Sequence, residues 1–97
     1  LVAQWDYSGS ISYLKDYLEF QRLTPYQQLT GRVNLAAALV HDRRPEAGIL
    51  LKELRQQTQS QRYWLFYGNT LELSAQQAIQ ERRWKEAEHF LPIPGFL

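Results

Sequence analysis

The chain contains no cysteine and no methionine among its 97 residues. The absence of cysteine excludes disulfide frameworks, zinc–thiolate sites and thiol nucleophiles. No apolar run approaches the ~20 residues of a membrane-spanning helix, so we expect no membrane insertion. The formal net charge is only +1, which provides no general attraction to nucleic acid. We therefore expect a cytoplasmic protein region that does not bind nucleic acid directly.

The sequence also lacks a signal peptide, because no basic region is followed by an apolar one at its start. Residues 1–6 instead have the pattern of the last turn of a helix. We interpret the chain as a fragment of a longer protein that forms a single helical-repeat domain over residues 1–97. Hydrophobic residues make up 44% and charged residues 22%, which is ordinary for a globular domain.

One pattern occurs three times: a small residue has larger side chains three positions before it and four positions after it. The three small residues are Ser10, Ala47 and Ala87, which lie 37 and 40 residues apart. Repeats of this period indicate stacked helical hairpins, in which a small residue lets two helices approach closely. The positions that we assign to this packing are Ser10, Leu14, Ala47, Leu51, Ala75, Trp84, Ala87 and Leu91.

The start of the second complete helix is strongly marked. Thr24 is predicted to be the N-cap, Pro25 the first helical residue and Gln27 the partner that completes a capping box. Ser8–Ser10 are predicted to form a turn in which Ser8 caps the helix that follows, and Pro45 is predicted to open the next helix after the Asp42–Arg44 turn.

A long helix is predicted over residues 61–81. Trp64 and Gly68 lie on its apolar stripe, so we expect Trp64 in the core. A glycine inside a helix is unfavourable, and we attribute Gly68 to the close approach of a neighbouring helix. A short last helix, Trp84–Leu91, is predicted to end before Pro92 and Pro94.

No segment shows sustained strand alternation, so the predicted class is all-α. The short polar connections favour antiparallel neighbours, and the architecture that we expect is an α-solenoid of about two and a half helical hairpins. The hairpins are assigned to residues 1–22, 25–58 and 61–91.

These hairpins resemble tetratricopeptide repeats, with matches at Ser74-Ala75, Ala78, Trp84, Ala87 and Leu91. The longer spacing is similar to that in the repeat region of the large ATP-dependent LuxR-type transcription activators of bacteria, the group of the maltose-regulon activators. The motifs that carry this resemblance are Ala3-Gln4-Trp5-Asp6-Tyr7, Tyr13-Leu14, Arg44-Pro45-Glu46-Ala47 and Pro94-Gly95-Phe96.

The resemblance implies a sensor arm that binds an inducer or a regulatory protein and helps to set the oligomeric state. ATP and DNA binding would belong to other parts of such a protein, since the chain has no Gly-x-x-x-x-Gly-Lys-Ser/Thr loop and we expect no cofactor here. Two other functions stay open: a general protein-binding scaffold or chaperone, and a self-association element.

Two surfaces are candidates for binding. The first is a mixed aromatic, amide and cationic face on the first helices of the hairpins, which suits a concave recognition surface. Its residues are Arg62, Phe66, Asn69, Leu73, Gln76 and Gln77, with Gln28 and Arg32 on the preceding hairpin. The alternative is that Phe66 and Leu73 cover a further repeat.

The second surface is an edge formed by Arg43-Arg44 and Arg82-Arg83, which occupy equivalent turns of consecutive hairpins. It could hold an anion or an acidic partner, although arginine also favours helix C-termini for purely structural reasons. Catalysis is not expected: His41 and His89 lie in different turns, no carboxylates have metal-ligand spacing with them, and the serines lack a nucleophile motif.

Overall fold

The computed structural model describes residues 6–20 and 22–91, and in this part of the chain it contains α-helices and no strand. The helices are α1 Tyr7–Leu18, α2 Pro25–His41, α3 Ala47–Ser60, α4 Trp64–Gln80 and α5 Trp84–Phe90. The predicted all-α class is therefore confirmed. The expectations for residues 1–5 and for the motif at Pro94-Gly95-Phe96 lie outside the described residues.

The first helix begins earlier than predicted. The carboxylate of Asp6 accepts a hydrogen bond from the backbone N–H of Gly9 at 2.9 Å, so Asp6 is the N-cap of α1. Ser8 to Ser10 consequently lie in the first turn of α1, and the predicted turn with Ser8 as a cap is wrong. A carboxylate at this position satisfies one of the free N–H groups of the first turn, which leaves the serines free to be helical.

The capping box at the start of α2 is confirmed. Thr24 Oγ1 accepts from the N–H of Gln27 at 3.1 Å, and the Gln27 side chain accepts from the N–H of Thr24 at 2.9 Å. The later helices have no such bond, since the N-caps Glu46, Tyr63 and Arg83 make no side-chain cap. These later helices therefore depend more on packing than on their own ends.

The three turns that follow α2, α3 and α4 share one backbone motif. Each places an arginine in the left-handed region: Arg43 at φ 56°, Arg62 at φ 61° and Arg82 at φ 60°. The next residue donates its N–H back to the last helical turn, at 2.8 to 2.9 Å; the donor–acceptor pairs are Arg44–Leu39, Tyr63–Thr58 and Arg83–Ala78. This is the Schellman helix ending, in which glycine is the usual residue.

The core is centred on α2, whose backbone lies near those of α1, α3 and α4. The backbone of α5 lies near that of α4 alone among the described helices, although the Phe90 side chain of α5 also contacts Arg55 of α3. The largest fully buried side chains come from α2, α3 and α4; they are Leu29, Val40, Leu51, Leu54, Thr58 and Thr70. None of the described helices is long and apolar enough to cross a membrane.

Of the repeated packing positions, the small residue is buried in the second and third units, whereas in the first unit the prediction is wrong. Ala47 and Ala87 are buried, but Ser10 is exposed and its neighbour Ile11 is buried in its place. In α1 the buried position is therefore displaced by one residue, from Ser10 to Ile11. Leu51 and Ala75 are buried, Leu14 is half-buried, and Trp84 and Leu91 are exposed.

Trp64 is also not in the core, since 58% of it is exposed. The reason is the length of α5, which has 7 residues against 17 in α4. At 1.5 Å per residue α5 covers about 10 Å of a helix about 25 Å long. No helix of the described residues therefore covers the first turns of α4 on that side.

Candidate functional site

A groove of about 280 Å³ lies between α2 and α4, and we call it the inner groove. Its walls are Val33, Asn34, Ala37, His41, Asn69, Glu72, Leu73 and Gln76. The wall residues recur at steps of three and four on each helix, which places them on one face. The structure thus brings together Asn69, Leu73 and Gln76, which the sequence had placed on one face.

The inner groove alternates amide and apolar groups. Asn34, Asn69 and Gln76 each offer a donor and an acceptor, whereas Val33 and Leu73 offer apolar contact. An extended peptide presents one N–H and one C=O per residue and therefore matches amide side chains. The chemistry of the groove suits a peptide backbone with small apolar side chains.

Phe66 and Gln77 do not line this groove. Phe66 is half-buried against the core, with its ring centroid 5.6 Å from that of Tyr26. Gln77 is buried, and its amide oxygen lies 3.5 Å from the position that a Cβ on Gly48 would take. Phe66 thus contacts α2 and Gln77 lies beside α3, and neither side chain lines the inner groove.

Two other predicted members of this face point elsewhere. Arg32 donates to Glu53 and to Gln57 of α3, each at 2.8 Å, so it joins α2 to α3. Gln28 is exposed nine residues before Ala37, and a step of about 100° per residue places it about 180° away from Ala37.

Half of the predicted basic edge is neutralised by local carboxylates. Arg44 pairs with Asp42 at 2.6 Å. Arg83 pairs with Glu81 at 2.7 Å and also with Glu86. The side chains of Arg43 and Arg82 are exposed, and the left-handed backbone conformation of each residue forms part of the turn. Local ion pairs and the backbone conformation of the turns thus give each of these four arginines a structural role.

A larger groove of about 620 Å³ lies where α3, α4 and α5 meet, and we call it the outer groove. Its walls are Lys52, Arg55, Gln56, Gln59, Tyr67, Gly68, Leu71, Glu72, His89, Phe90 and Leu91. It runs along the first turns of α4, beyond the point where α5 ends.

Arg55 is the principal cation of the outer groove. Its Nη1 donates to Ser74 Oγ at 2.6 Å, and its guanidinium carbon lies 4.6 Å from the centre of the Phe90 ring. Burial lowers the pKa of Arg55, while Tyr67 acts in the opposite direction. Arginine nevertheless remains charged at neutral pH, so a half-buried positive charge lies at this wall.

Gly68 opens the outer groove. A Cβ built on Gly68 would meet no heavy atom of a neighbouring element within 4 Å, so the predicted close approach of another helix is wrong. The glycine leaves empty space along α4 between Tyr67 and Leu71.

An exposed aromatic cluster lies at the start of α4, around a shallow hollow of about 200 Å³. Its members are Tyr26, Arg62, Tyr63, Trp64, Leu65 and Phe66. Leu65 is 78% exposed, and the Tyr63 ring lies 6.1 Å from that of Tyr26. Aromatic residues and arginine are the groups that most often dominate protein–protein interfaces.

His41 and His89 belong to no cluster of three metal-ligating side chains in the part of the chain that the structure describes. No three His, Asp or Glu side chains there lie close enough to hold a metal ion. His41 stacks on Tyr7 with ring centroids 5.2 Å apart, and the ring of His89 lies against Phe90.

Sequence reasoning missed the outer groove because its walls come from three helices. Two features of the sequence pointed toward it: a glycine inside α4, and a last helix shortened by Pro92. Comparison with models of known protein families, with curated proteins and with solved structures gave no match for this chain.

Proposed function

We propose that the chain is a helical-repeat recognition module that binds an extended peptide segment of a partner protein in the inner groove. The observation that carries this proposal is the row of amide side chains, Asn34, Asn69 and Gln76, along apolar contacts of α2 and α4. The contact of α2 with α4, in addition to contacts between consecutive helices, supports a solenoid in which these two helices form the inner layer.

Selection from a random peptide library on the immobilised chain, followed by fluorescence anisotropy, tests this function. Each of Asn69→Ala and Gln76→Ala should weaken the selected peptides by about two- to tenfold, which is the usual range for one hydrogen bond. Gln28→Ala is the matched control, since this amide lies outside the groove, and it should leave affinity unchanged. Selection of no peptide, or equal binding to all variants, would contradict the proposal.

We propose more specifically that this module is the sensing arm of a bacterial LuxR-type activator. The turn motif Arg44-Pro45-Glu46-Ala47 and the repeat spacing support it. Binding would then shift the parent protein between two arrangements, by no more than the difference in affinity for them. A reading frame with a phosphate-binding loop upstream and a helix-turn-helix downstream would support this form, and a frame without them would contradict it.

Self-association is a second candidate, favoured by the exposed aromatic cluster. Exposed apolar groups of this kind mark interaction sites, and Trp64 and Leu65 are mostly exposed. Sedimentation velocity should then show a concentration-dependent dimer that Leu65→Glu abolishes. Ile49→Glu is a matched control, because Ile49 is 71% exposed on α3 and lies outside the cluster. A strictly monomeric wild-type chain would exclude this function.

A further inference from the structure

We propose that the outer groove is a second, separate binding site, which takes an acidic peptide segment in which carboxylates alternate with apolar side chains. The two grooves share one wall residue, Glu72, and otherwise have different walls. Its walls combine two cations of α3, Lys52 and Arg55, with an apolar surface from Leu71, Phe90 and Leu91.

The positive charges of the outer groove exceed its negative charges among the described residues. Lys52 and Arg55 lie three positions apart on α3, so their like charges repel on a shared helix face. Among the described residues neither has a carboxylate within ion-pair distance, although five other ion pairs are present. Glu72 is the single carboxylate in the wall, which leaves a net positive charge.

Arg55 is held in an orientation suited to an anion. Ser74 fixes one guanidinium nitrogen, and the Phe90 ring supports the planar group. A guanidinium has five N–H donors, and a carboxylate can accept two of them in a bidentate pair. The orientation is therefore set before a ligand binds, which reduces the entropy lost on binding.

Gly68 is the second observation that points to a ligand. A glycine inside a helix reduces helix stability, and the usual compensation is the close approach of another element. Among residues 6–20 and 22–91 no other element lies within 4 Å of this position, and the space left by the missing side chain belongs to the groove. The glycine widens the groove at its apolar floor.

The dimensions favour a peptide. The α3 wall runs from Lys52 to Gln59, which is about 10 Å of helix and equals about three residues of extended chain. The volume also lies within the usual range of ligand sites. Alternation of side chains in an extended peptide would direct carboxylates to Lys52 and Arg55, and apolar groups to Leu71 and Phe90.

The test measures fluorescence anisotropy of a labelled hexapeptide of alternating glutamate and leucine, added to the 97-residue chain. We expect binding that weakens by about tenfold when glutamine replaces glutamate in the peptide, since charge-assisted hydrogen bonds are lost. Lys52→Gln should weaken it by about threefold, in the range of a partly exposed ion pair. Lys15→Gln, on α1, is the control of equal charge change and should have no effect.

Gly68→Phe distinguishes binding inside the outer groove from a general attraction between the peptide and the positive charges of the protein. The new side chain enters the empty space, so it should abolish binding of the acidic peptide while helical content by circular dichroism is retained. Equal affinity for the acidic and amide peptides, or unchanged binding to Gly68→Phe, would overturn the proposal. Asn69→Ala and Gln76→Ala should leave this binding unchanged, so failure at either groove can be told from failure at the other.

Discussion

Two glycines inside helices have opposite surroundings, and substitution by alanine separates them. At Gly31 of α2 a Cβ would lie 2.8 Å from Leu18 Cδ2 and 3.2 Å from Tyr17 Cε2, so α1 occupies the space. At Gly68 the same atom would meet nothing within 4 Å. Gly31 thus permits helix packing, whereas Gly68 lowers helix propensity and leaves space in the outer groove.

We expect Gly68→Ala to stabilise the fold by about 1 kcal/mol, which is the difference in helix propensity. For a domain of this size that corresponds to a rise in Tm of about 4 to 8 °C. Gly31→Ala should give no such gain, because side chains of α1 must move. Thermal unfolding followed by circular dichroism measures both, and a lower Tm for Gly68→Ala would contradict the empty space.

The left-handed arginines allow a second prediction for single residues. Arg82 holds φ 60°, a conformation that costs a residue with a Cβ about 1 to 2 kcal/mol. Arg82→Gly removes this cost. The net stabilisation should be only about 0.5 to 1 kcal/mol, because the greater entropy of glycine in the unfolded state offsets part of the gain.

Arg82→Ala is the control for that substitution. It removes the same charge but keeps the strained conformation, and it should bring no gain. Urea unfolding measures the free energy of each variant. Equal stabilities of Arg82→Gly and Arg82→Ala would mean that the side chain, and not the backbone, determines the effect.

At the scale of the elements, small residues determine how closely the helices pack. Ala47 at the start of α3 and Ala87 in α5 have no room for a larger side chain, since their exposed fractions are 0% and 3%. Ala47→Leu and Ala87→Leu should each destabilise the chain by about 1 to 3 kcal/mol through overpacking. Ser10→Leu, at the exposed position of α1, should change stability by less than about 0.5 kcal/mol.

Denaturant midpoints of the three variants measure this difference. If Ser10→Leu were as destabilising as Ala47→Leu, the one-residue displacement of the first unit would be wrong. The displacement follows from the apolar pattern of α1, in which Tyr7, Ile11, Leu14 and Leu18 recur at steps of three and four and pack against the core.

At the scale of the whole molecule, stability should decrease from α2 toward the last helix. α2 packs against three other helices and has eight buried residues, whereas α5 packs mainly against α4, touches α3 at Phe90, and has Ala87 as its single buried residue. Repeat structures are stabilised mainly by contacts between neighbours, so a terminal element opens first.

Native-state hydrogen exchange should accordingly show the slowest amides in α2 and the fastest helical amides in α5. Exchange in α3 and α4 should be intermediate. Equal protection of α5 and α2 would indicate a single cooperative unit instead of a gradient. Addition of the acidic glutamate–leucine peptide should slow exchange in α5, because Phe90 lines the outer groove.

The sequence by itself determined the helical class and the starts of α2 and α5. The other starts differ from the prediction, since α3 begins at Ala47 and not at Pro45, and α4 at Trp64 and not at residue 61. The Thr24–Gln27 capping box and the turn at Asp42–Arg44 are local, since their hydrogen bonds join residues within one turn. The common face of Asn69, Leu73 and Gln76 also follows from the helical period alone. The roles of these residues in binding stay predictions.

Only the tertiary structure decided which faces are covered. Phe66 packs inward on Tyr26 and Trp64 remains exposed, although periodicity predicted Trp64 in the core. The outer groove exists because α5 ends after seven residues and leaves Arg55 and Gly68 beside open space. Such exposure depends on contacts between helices far apart in the chain, and the periodicity of one helix contains no information about them.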